Sequence, residues 1–379
     1  MKIRVFSMVM ILMIFSACSQ QQEEVTTELS ETEIDAEIVR QEAPPEPEVK
    51  ETTITIGAIG DILLHERVYV PAETEEGTHD FMPMLEDVGP LLGEPDFLMA
   101  NFESIPGGVE IGLSTYPSFN SPHEIVTDMQ SLGVDMAIAA NNHTIDRGVR
   151  AVESALNFFD EVGMDYVGAY RDTEDRETDR IVDVEGIRIG VLAYTYGTNG
   201  IPIPEGHEDI VALIDPERMT TDVKQLRDKV DIVVVHMHWG DEYIHEPNTE
   251  QQELAQLLSE AGTDIIIGHH PHVLQPIDLL EQEDGYETYV FYSLGNFFSG
   301  QNFEYTDIGG LATIEVTKLT EGDESTFEIH SPDIEPTLVE LINDVYSVRP
   351  MADTEGSLIN GVTAEETRKH IWKYLHEQN

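Results

Sequence analysis

Five short polar motifs, each at the end of an apolar run, constrain this chain more than any other feature. Ile54 to Ile59 leads into Gly60-Asp61, and Phe97 to Ala100 into Asn101-Phe102-Glu103. Val134 to Ala140 leads into Asn141-Asn142-His143-Thr144-Ile145-Asp146. Ile232 to Val235 precedes His236-Met237-His238-Trp239-Gly240, and Ile265 to Ile267 precedes Gly268-His269-His270-Pro271-His272. Short apolar runs bounded by turn residues read as buried strands. In open α/β sheets ligands bind beyond the carboxyl ends of strands, so side chains far apart in sequence converge there. The converging types are imidazole, carboxylate and side-chain amide, which are the groups that hold metal ions.

At 379 residues the chain is long enough for a sizeable core, and one large α/β domain with an N-terminal extension fits better than several small ones. Acidic residues number 74 against 20 basic, a formal charge of −54. Nucleic acid is excluded as a partner, because phosphates need Lys and Arg to displace their counterions. The acidity is spread along the chain and reads as a solvated, self-repelling surface.

Lys2 and Arg4 followed by the apolar stretch Val5 to Phe15 form a targeting segment too short to span a bilayer. Phe15-Ser16-Ala17-Cys18 resembles a bacterial lipobox cut before cysteine. Cys18 is the only cysteine, which excludes a disulfide framework and any thiolate metal site. The expectation is an exported protein on the outer face of the cell membrane, held through a lipid on Cys18. Residues 19–51, rich in Glu, Gln, Thr and Pro, lack a sustained apolar period and read as an acidic disordered tether.

From Ile54 onward strands and helices alternate. Strands are expected at 54–60, 96–101, 134–140, 165–169, 187–195, 231–236, 263–268, 288–293 and 310–317, with a hairpin from Ile181-Val182-Asp183-Val184 into Ile187. Helical spacing falls around 123–132, 149–162, 216–229 and 249–261. Mixed crossovers and hairpins predict an α/β (α+β) four-layer fold, two packed mixed sheets flanked by helices, over residues 52–320. Residues 321–379 read as an extension, irregular from about Ser331. A helix is expected from Ala364 to His376, with Thr363 and Glu366 as its capping box.

Asp61 and Glu103 supply carboxylates, Asn142 and His143 an amide and an imidazole, and His238, His270 and His272 three more nitrogens. An N/O set without sulfur suits one or two divalent ions such as Zn, Mn or Fe. With two ions roughly 3.5–4 Å apart, a phosphoryl group can be clamped and water activated. His65, just past Asp61, is a further candidate ligand. His236 and His269 should alternate away from His238, His270 and His272, because strand side chains point to opposite faces. Across Pro271, His270 and His272 are expected in an extended segment.

These blocks, with Ser293-Leu294-Gly295-Asn296-Phe297, Tyr194 to Gly200 and Tyr116 to Pro122, resemble the CapA family of poly-γ-glutamate capsule biosynthesis proteins. The resemblance covers about residues 52 to 320 and implies a calcineurin-like metallophosphoesterase fold. It implies that Asp61 is a metal ligand, Glu103 the bridging carboxylate, and Asn142, His238, His270 and His272 further ligands. It makes His143 and Asp146 the catalytic candidates, His143 as the acid for the leaving group. Asn101, Asn120, Tyr196, Asn199, Glu242 and Asn296 from these blocks are candidates for the substrate side. Two departures stand out. Ile62-Leu63 follow Asp61 where the family of phosphoesterases has an Asp-x-His, leaving His65 as replacement, and the bridging residue is Glu rather than Asp. The implied partners are an anionic polymer (poly-γ-glutamate) or a phosphoester substrate, together with membrane subunits of a capsule synthase. Three functions stay open at this level: a metal-dependent hydrolase, a non-catalytic polymer-binding scaffold on the same fold, or an exported module that binds a small ligand in its cleft.

Overall fold

The computed structural model describes residues 49–356 and 360–377. Cys18, the targeting segment and residues 19–48 of the expected tether lie outside the described residues. The strands are β1 (Val49–Leu63), β2 (Phe97–Asn101), β3 (Val134–Ile138), β4 (Asp165–Val167), β5 (Ile181–Val184), β6 (Ile187–Thr195) and β7 (Ile232–His238). They continue with β8 (Ile265–His269), β9 (Leu274–Glu281), β10 (Glu287–Leu294), β11 (Asn296–Ser299), β12 (Ile308–Glu321), β13 (Glu324–Ile342) and β14 (Val345–Pro350).

Two mixed sheets result. The first runs β14-β13-β12-β1-β2-β3-β4 with β11 also paired to β1, and the second runs β5-β6-β7-β8-β10-β9. In each, the central strands are parallel: β1, β2, β3 and β4 in one, β6, β7, β8 and β10 in the other. Their carboxyl ends therefore point the same way within each sheet, which gathers the polar motifs.

Strand alternation explains the layers. Ile54, Ile56 and Ala58 of β1, Phe97 and Met99 of β2, and Ile232 and Val234 of β7 pack between the sheets. Leu98 and Ala100 face the other way, onto helix Val149–Val162 through Leu156 and Phe159. Val233, Val235 and Met237 face helices Pro216–Arg227 and Thr249–Ala261 through Val223, Leu254 and Leu258. Strands buried on both faces read as continuous apolar runs, which is why these were legible. Removing one such anchor, as in Phe159→Ala, costs about 3–5 kcal/mol.

Helix ends follow local chemistry. Asn248 and Gln251 form a capping box for the helix that stops at Gly262, whose φ of 105° only glycine takes readily. Thr363 and Glu366 form the expected box, but the terminal helix is two pieces, Ala364–Ile371 and Lys373–Glu377.

The region after Ser331 differs from expectation. It is not irregular: β13 pairs with β12 along its length, and β14 with β13. A boundary at 320 falls inside the β12 hairpin. Polar residues on the solvent face, with Ile334, Pro336, Leu338, Val339 and Val348 as the buried apolar side chains of β13 and β14, dilute the apolar signal. At the other end β1 begins at Val49, so residues 49–51 of the expected tether pair with Leu319–Glu321.

Candidate metal centre

Backbone irregularities place each ligand. β1 shifts register between Ile59 and Asp61 where it pairs with β2. Gly60 is required there, because a Cβ would stand 2.1 Å from the carbonyl oxygen of Gly295. That close approach lets Asp61 N–H donate to Gly295 O at 2.8 Å, turning the Asp61 side chain into the centre. Past β2, Glu103 is fully buried. In the turn after β3, Asn141 ties the loop, its amide donating to Phe102 O at 3.0 Å and its oxygen accepting from His143 N–H at 3.1 Å. Thr144 seals the same turn by donating to Ala139 O at 2.7 Å.

His270 and His272 do not sit in an extended segment. Their φ angles are 97° and 58°, a region that costs non-glycine residues of order 1–3 kcal/mol each and clusters at functional sites. The turn aims both imidazoles inward and brings the His270 N–H to within 3.3 Å of Asp61 Oδ2.

Two ligand groups share one carboxylate. Asp61, Glu103 and His272 present ligand atoms within 4.8 Å of one another, and so do Glu103, His238 and His270. Glu242, His270 and His272 form a third, more exposed group. His272 Nδ1 lies 3.2 Å from Asp61 Oδ2 and 3.6 Å from Glu103 Oε2. His238 Nε2 lies 3.5 Å from Glu103 Oε1 and 3.1 Å from Asn142 Oδ1. Asn142 thus joins the His238 side.

The electrostatics of the metal-free cluster are unbalanced. Burial and the charge of Asp61 push the Glu103 carboxyl well above its usual range, against the pull of His272. Both Glu103 oxygens are buried without a hydrogen-bond partner, as are Nδ1 of His238 and of His270. Burial alone would raise Asp61 as well, but His269 and His272 outweigh it and hold it well below the carboxylate range. His272 shows the converse: burial opposes its charge, yet Glu103 and Asp61 raise it to about 9. His270 is pushed down to about 3 by burial and by the charge of His272. The orphaned Glu103 oxygens and the His238 and His270 imidazoles, whose protonation burial disfavours, are groups that a bound cation would satisfy, and the N/O donors fit a divalent transition metal.

His143 stands beside the ligands. Its Nδ1–H donates to Asp146 Oδ2 at 2.7 Å, and Asp146 is fixed in turn by Phe119 N–H at 2.7 Å. That leaves Nε2 as the ring nitrogen available to a cleft of about 820 Å³ lined also by Asn142, Asn199, Glu242 and His272. Tyr196 packs against the ligand group, its ring 4.6 Å from that of His270 and its hydroxyl donating to Asn199 at 3.3 Å.

Other expected residues lie one step back. Asn101 donates to Asp61 Oδ1 at 2.7 Å, and Asn296 Oδ1 accepts from His272 Nδ1 at 3.1 Å, so both orient ligands. Asn120 is fully buried and spends its side chain on the backbone of Gly107, Gly108 and Gly112. His65 joins none of the ligand groups; its Nδ1 bonds Leu63 O at 3.0 Å and its ring meets Phe119 edge-on.

His236 and His269 were expected to point away. His236, two residues before His238 in one strand, instead shares its face of β7, and His269 places Nδ1 3.4 Å from Asp61 Oδ1. Its Nε2 pairs with His236 Nδ1 at 3.0 Å, and His236 Nε2 faces Met99 Sδ at 3.1 Å. A thioether only accepts. His236 therefore donates to Met99 through Nε2–H and accepts from His269 Nε2–H at Nδ1, which leaves His269 Nδ1 facing Asp61. The doubled His-His in the sequence was the available signal for this pair.

Residues 55–301 match the family model described as bacterial capsule synthesis protein PGA_cap. The chain belongs to this family. It is 31% identical over 300 residues to a PGA biosynthesis protein CapA of Bacillus subtilis, covering 77% of this chain and 75% of that one. It is 30% identical over 262 residues to a capsule biosynthesis protein CapA of Bacillus anthracis, covering 67% and 61%. Among solved structures, NAD nucleotidase of Haemophilus influenzae aligns with a TM-score of 0.47 at 12% identity, over 87% of this chain and 68% of that one. That likeness is too low to argue from. Within the capsule synthesis family the residues gathered here are thus read from their own geometry.

Proposed function

We propose that this capsule synthesis protein is a metal-dependent hydrolase of a phosphoester or related bond, acting in the synthesis or export of an anionic polymer such as poly-γ-glutamate. The observation that carries this reading is Glu103, a buried carboxylate with two unpartnered oxygens between two sets of imidazoles. Bound divalent ions would supply Lewis-acid polarisation of the scissile group and lower the pKa of water. Asp61, Glu103 and His272 would hold one ion, and Glu103, Asn142, His238 and His270 the other.

The chain's own residues supply the rest. Asp146 fixes the tautomer of His143 so that Nε2 can hold the proton passed to the leaving oxygen. Phe119 packs edge-on against the His143 ring at 4.7 Å and restricts its rotation. A polymer-binding scaffold would have no use for an imidazole oriented in this way. Anchoring through Cys18 would place the cleft at the outer face of the cell membrane, beside the membrane subunits of a capsule synthase.

The test is metal content of full-length protein together with turnover of an aryl phosphodiester. Two ions per chain, lost with turnover in Asp61→Ala/His270→Ala, support the reading. His143→Asn should keep the metal and lose turnover. Protein handled without chelators that holds no metal would sink the hydrolytic mechanism and leave the scaffold.

A further inference from the structure

A second cavity of about 560 Å³ adjoins the metal cleft, and the two share His65 and Arg67 as lining residues. Arg67 is exposed, and among the described residues no ion pair or hydrogen bond engages its guanidinium. That is unusual in a chain of net charge −54. Arg171, Arg176, Arg180, Arg218 and Arg227, for comparison, are each paired with aspartate.

Its stem is nonetheless held in place. A Cβ on Gly300 would lie 2.8 Å from Arg67 Cγ and 2.9 Å from His65 Cβ, although Gly300 has no positive φ. Glycine is there for room, and the room is filled by the arginine stem. The surroundings are apolar and open: Val70 and Leu341 of the second cavity are 50% and 51% exposed, and Tyr116 and Phe303 of the cleft 74% and 57%. Apolar surface left uncovered beside a site marks a place where a ligand lies.

We propose that Arg67 is a specificity residue that binds a carboxylate of a γ-linked polyglutamate chain, which enters at the metal cleft and leaves along the adjoining groove. This rests on the reading above that the cleft serves an anionic polymer. The chemistry matches the page. A γ-linked chain has a methylene-rich backbone for Val70, Leu341 and Tyr346, and one free carboxylate per residue for a planar guanidinium fork. Glu66 and Asp344 flank the groove and repel a polyanion, so the attraction is concentrated at Arg67 and sets where the chain crosses.

The test is a binding ratio on full-length protein of measured metal content, with labelled γ-linked oligoglutamate against its neutral counterpart in which every α-carboxylate is a carboxamide (γ-linked oligo-isoglutamine). Wild type should prefer the acid, and less so at high salt. Arg67→Ala should weaken acid binding about tenfold or more while leaving the amide within about twofold, flattening the ratio. Gly300→Ala, which displaces the stem and keeps the charge, should lower the same ratio. An unchanged ratio in Arg67→Ala, or no preference in wild type, overturns the inference. So does an Arg67-dependent preference for oligo(glycerol phosphate) over oligoglutamate. Metal content separates this from the hydrolytic reading. A metal-loaded protein whose ratio ignores Arg67 sinks this inference alone. An Arg67-dependent ratio in protein that binds no metal sinks the hydrolase alone.

Discussion

The two sheets contribute opposite chemistry to one centre. The first, through the ends of β1, β2 and β3, delivers the oxygen donors Asp61, Glu103 and Asn142. The second, through the ends of β7 and β8, delivers the nitrogen donors His238, His270 and His272. Each half alone is electrostatically poor. Burial, with the charge of Asp61 behind it, drives Glu103 up, and burial with neighbouring imidazoles drives His238 and His270 down. Only His272, which faces both carboxylates, is raised. The lesson is that the site is a property of the packed sheets, and that a shared cation would relieve both halves together.

Glu103 is where this comparison breaks most visibly, because it touches the second sheet twice. Glu103→Gln should lose both ions and lower turnover by about a thousandfold or more. His272→Ala and His238→Ala should each lose one ion of two, from different halves. Metal analysis of the three variants decides it. If Glu103→Gln keeps as much metal as either histidine variant, the carboxylate is not shared.

His143 follows the first sheet, and in the proposed reading it serves the leaving group and not a metal. His143→Asn should retain both ions and lose about hundredfold or more in turnover, within the usual range for a general acid. Asp146→Asn should keep the ring in the cleft but loosen its tautomer, giving a smaller loss. Loss of metal in either variant would move the His143–Asp146 pair into the ligand set.

Acidity sharpens the contrast from the other sheet. In metal-free protein His272 has its pKa raised from 6.5 to about 9. The stability from its pairing with the carboxylates is then complete below about pH 6.5 and lost as pH rises through about 9. A divalent ion must displace that proton, so affinity should rise with pH up to about 9, by as much as about tenfold per unit. Titrating metal into chelator-treated protein at several pH values checks this. Affinity independent of pH between these limits would mean that His272 is not a ligand.

Much of this arrangement was legible in the sequence, and for a physical reason. Strands buried on both faces announce themselves as apolar runs, and the polar residues that end them had few other roles. Asp61, Glu103, Asn142, His238, His270 and His272 stand out in that way, and the fold brings them together. Asn101, Asn120 and Asn296 were not readable as supports, because an amide that orients a neighbour looks like one that meets a substrate. Arg67 escaped for a similar reason: its meaning lies in having no partner, which only the packed fold reveals. β13 and β14 were missed because an edge hairpin with one solvated face dilutes its apolar pattern. His269 was misdirected by a strict alternation rule that fails where β8 ends and φ turns positive at His270.

The smallest expected effect probes the seam between the sheets. His236 sits at the inter-sheet face of β7, too deep to meet any ligand, and reaches Asp61 only through His269. If this chain of rings orients Asp61, His236→Leu should leave the fold intact by thermal unfolding yet weaken binding of one ion about tenfold, the usual scale for a support behind a ligand. His236→Gln, which can still offer an oxygen to His269 Nε2–H, should recover part of that loss. The affected ion should be the one that His272→Ala removes, because Asp61 belongs to that half. Equal weakening of both ions would instead mean that His236 acts by holding the two sheets in register, and the seam, not Asp61, would be what it supports.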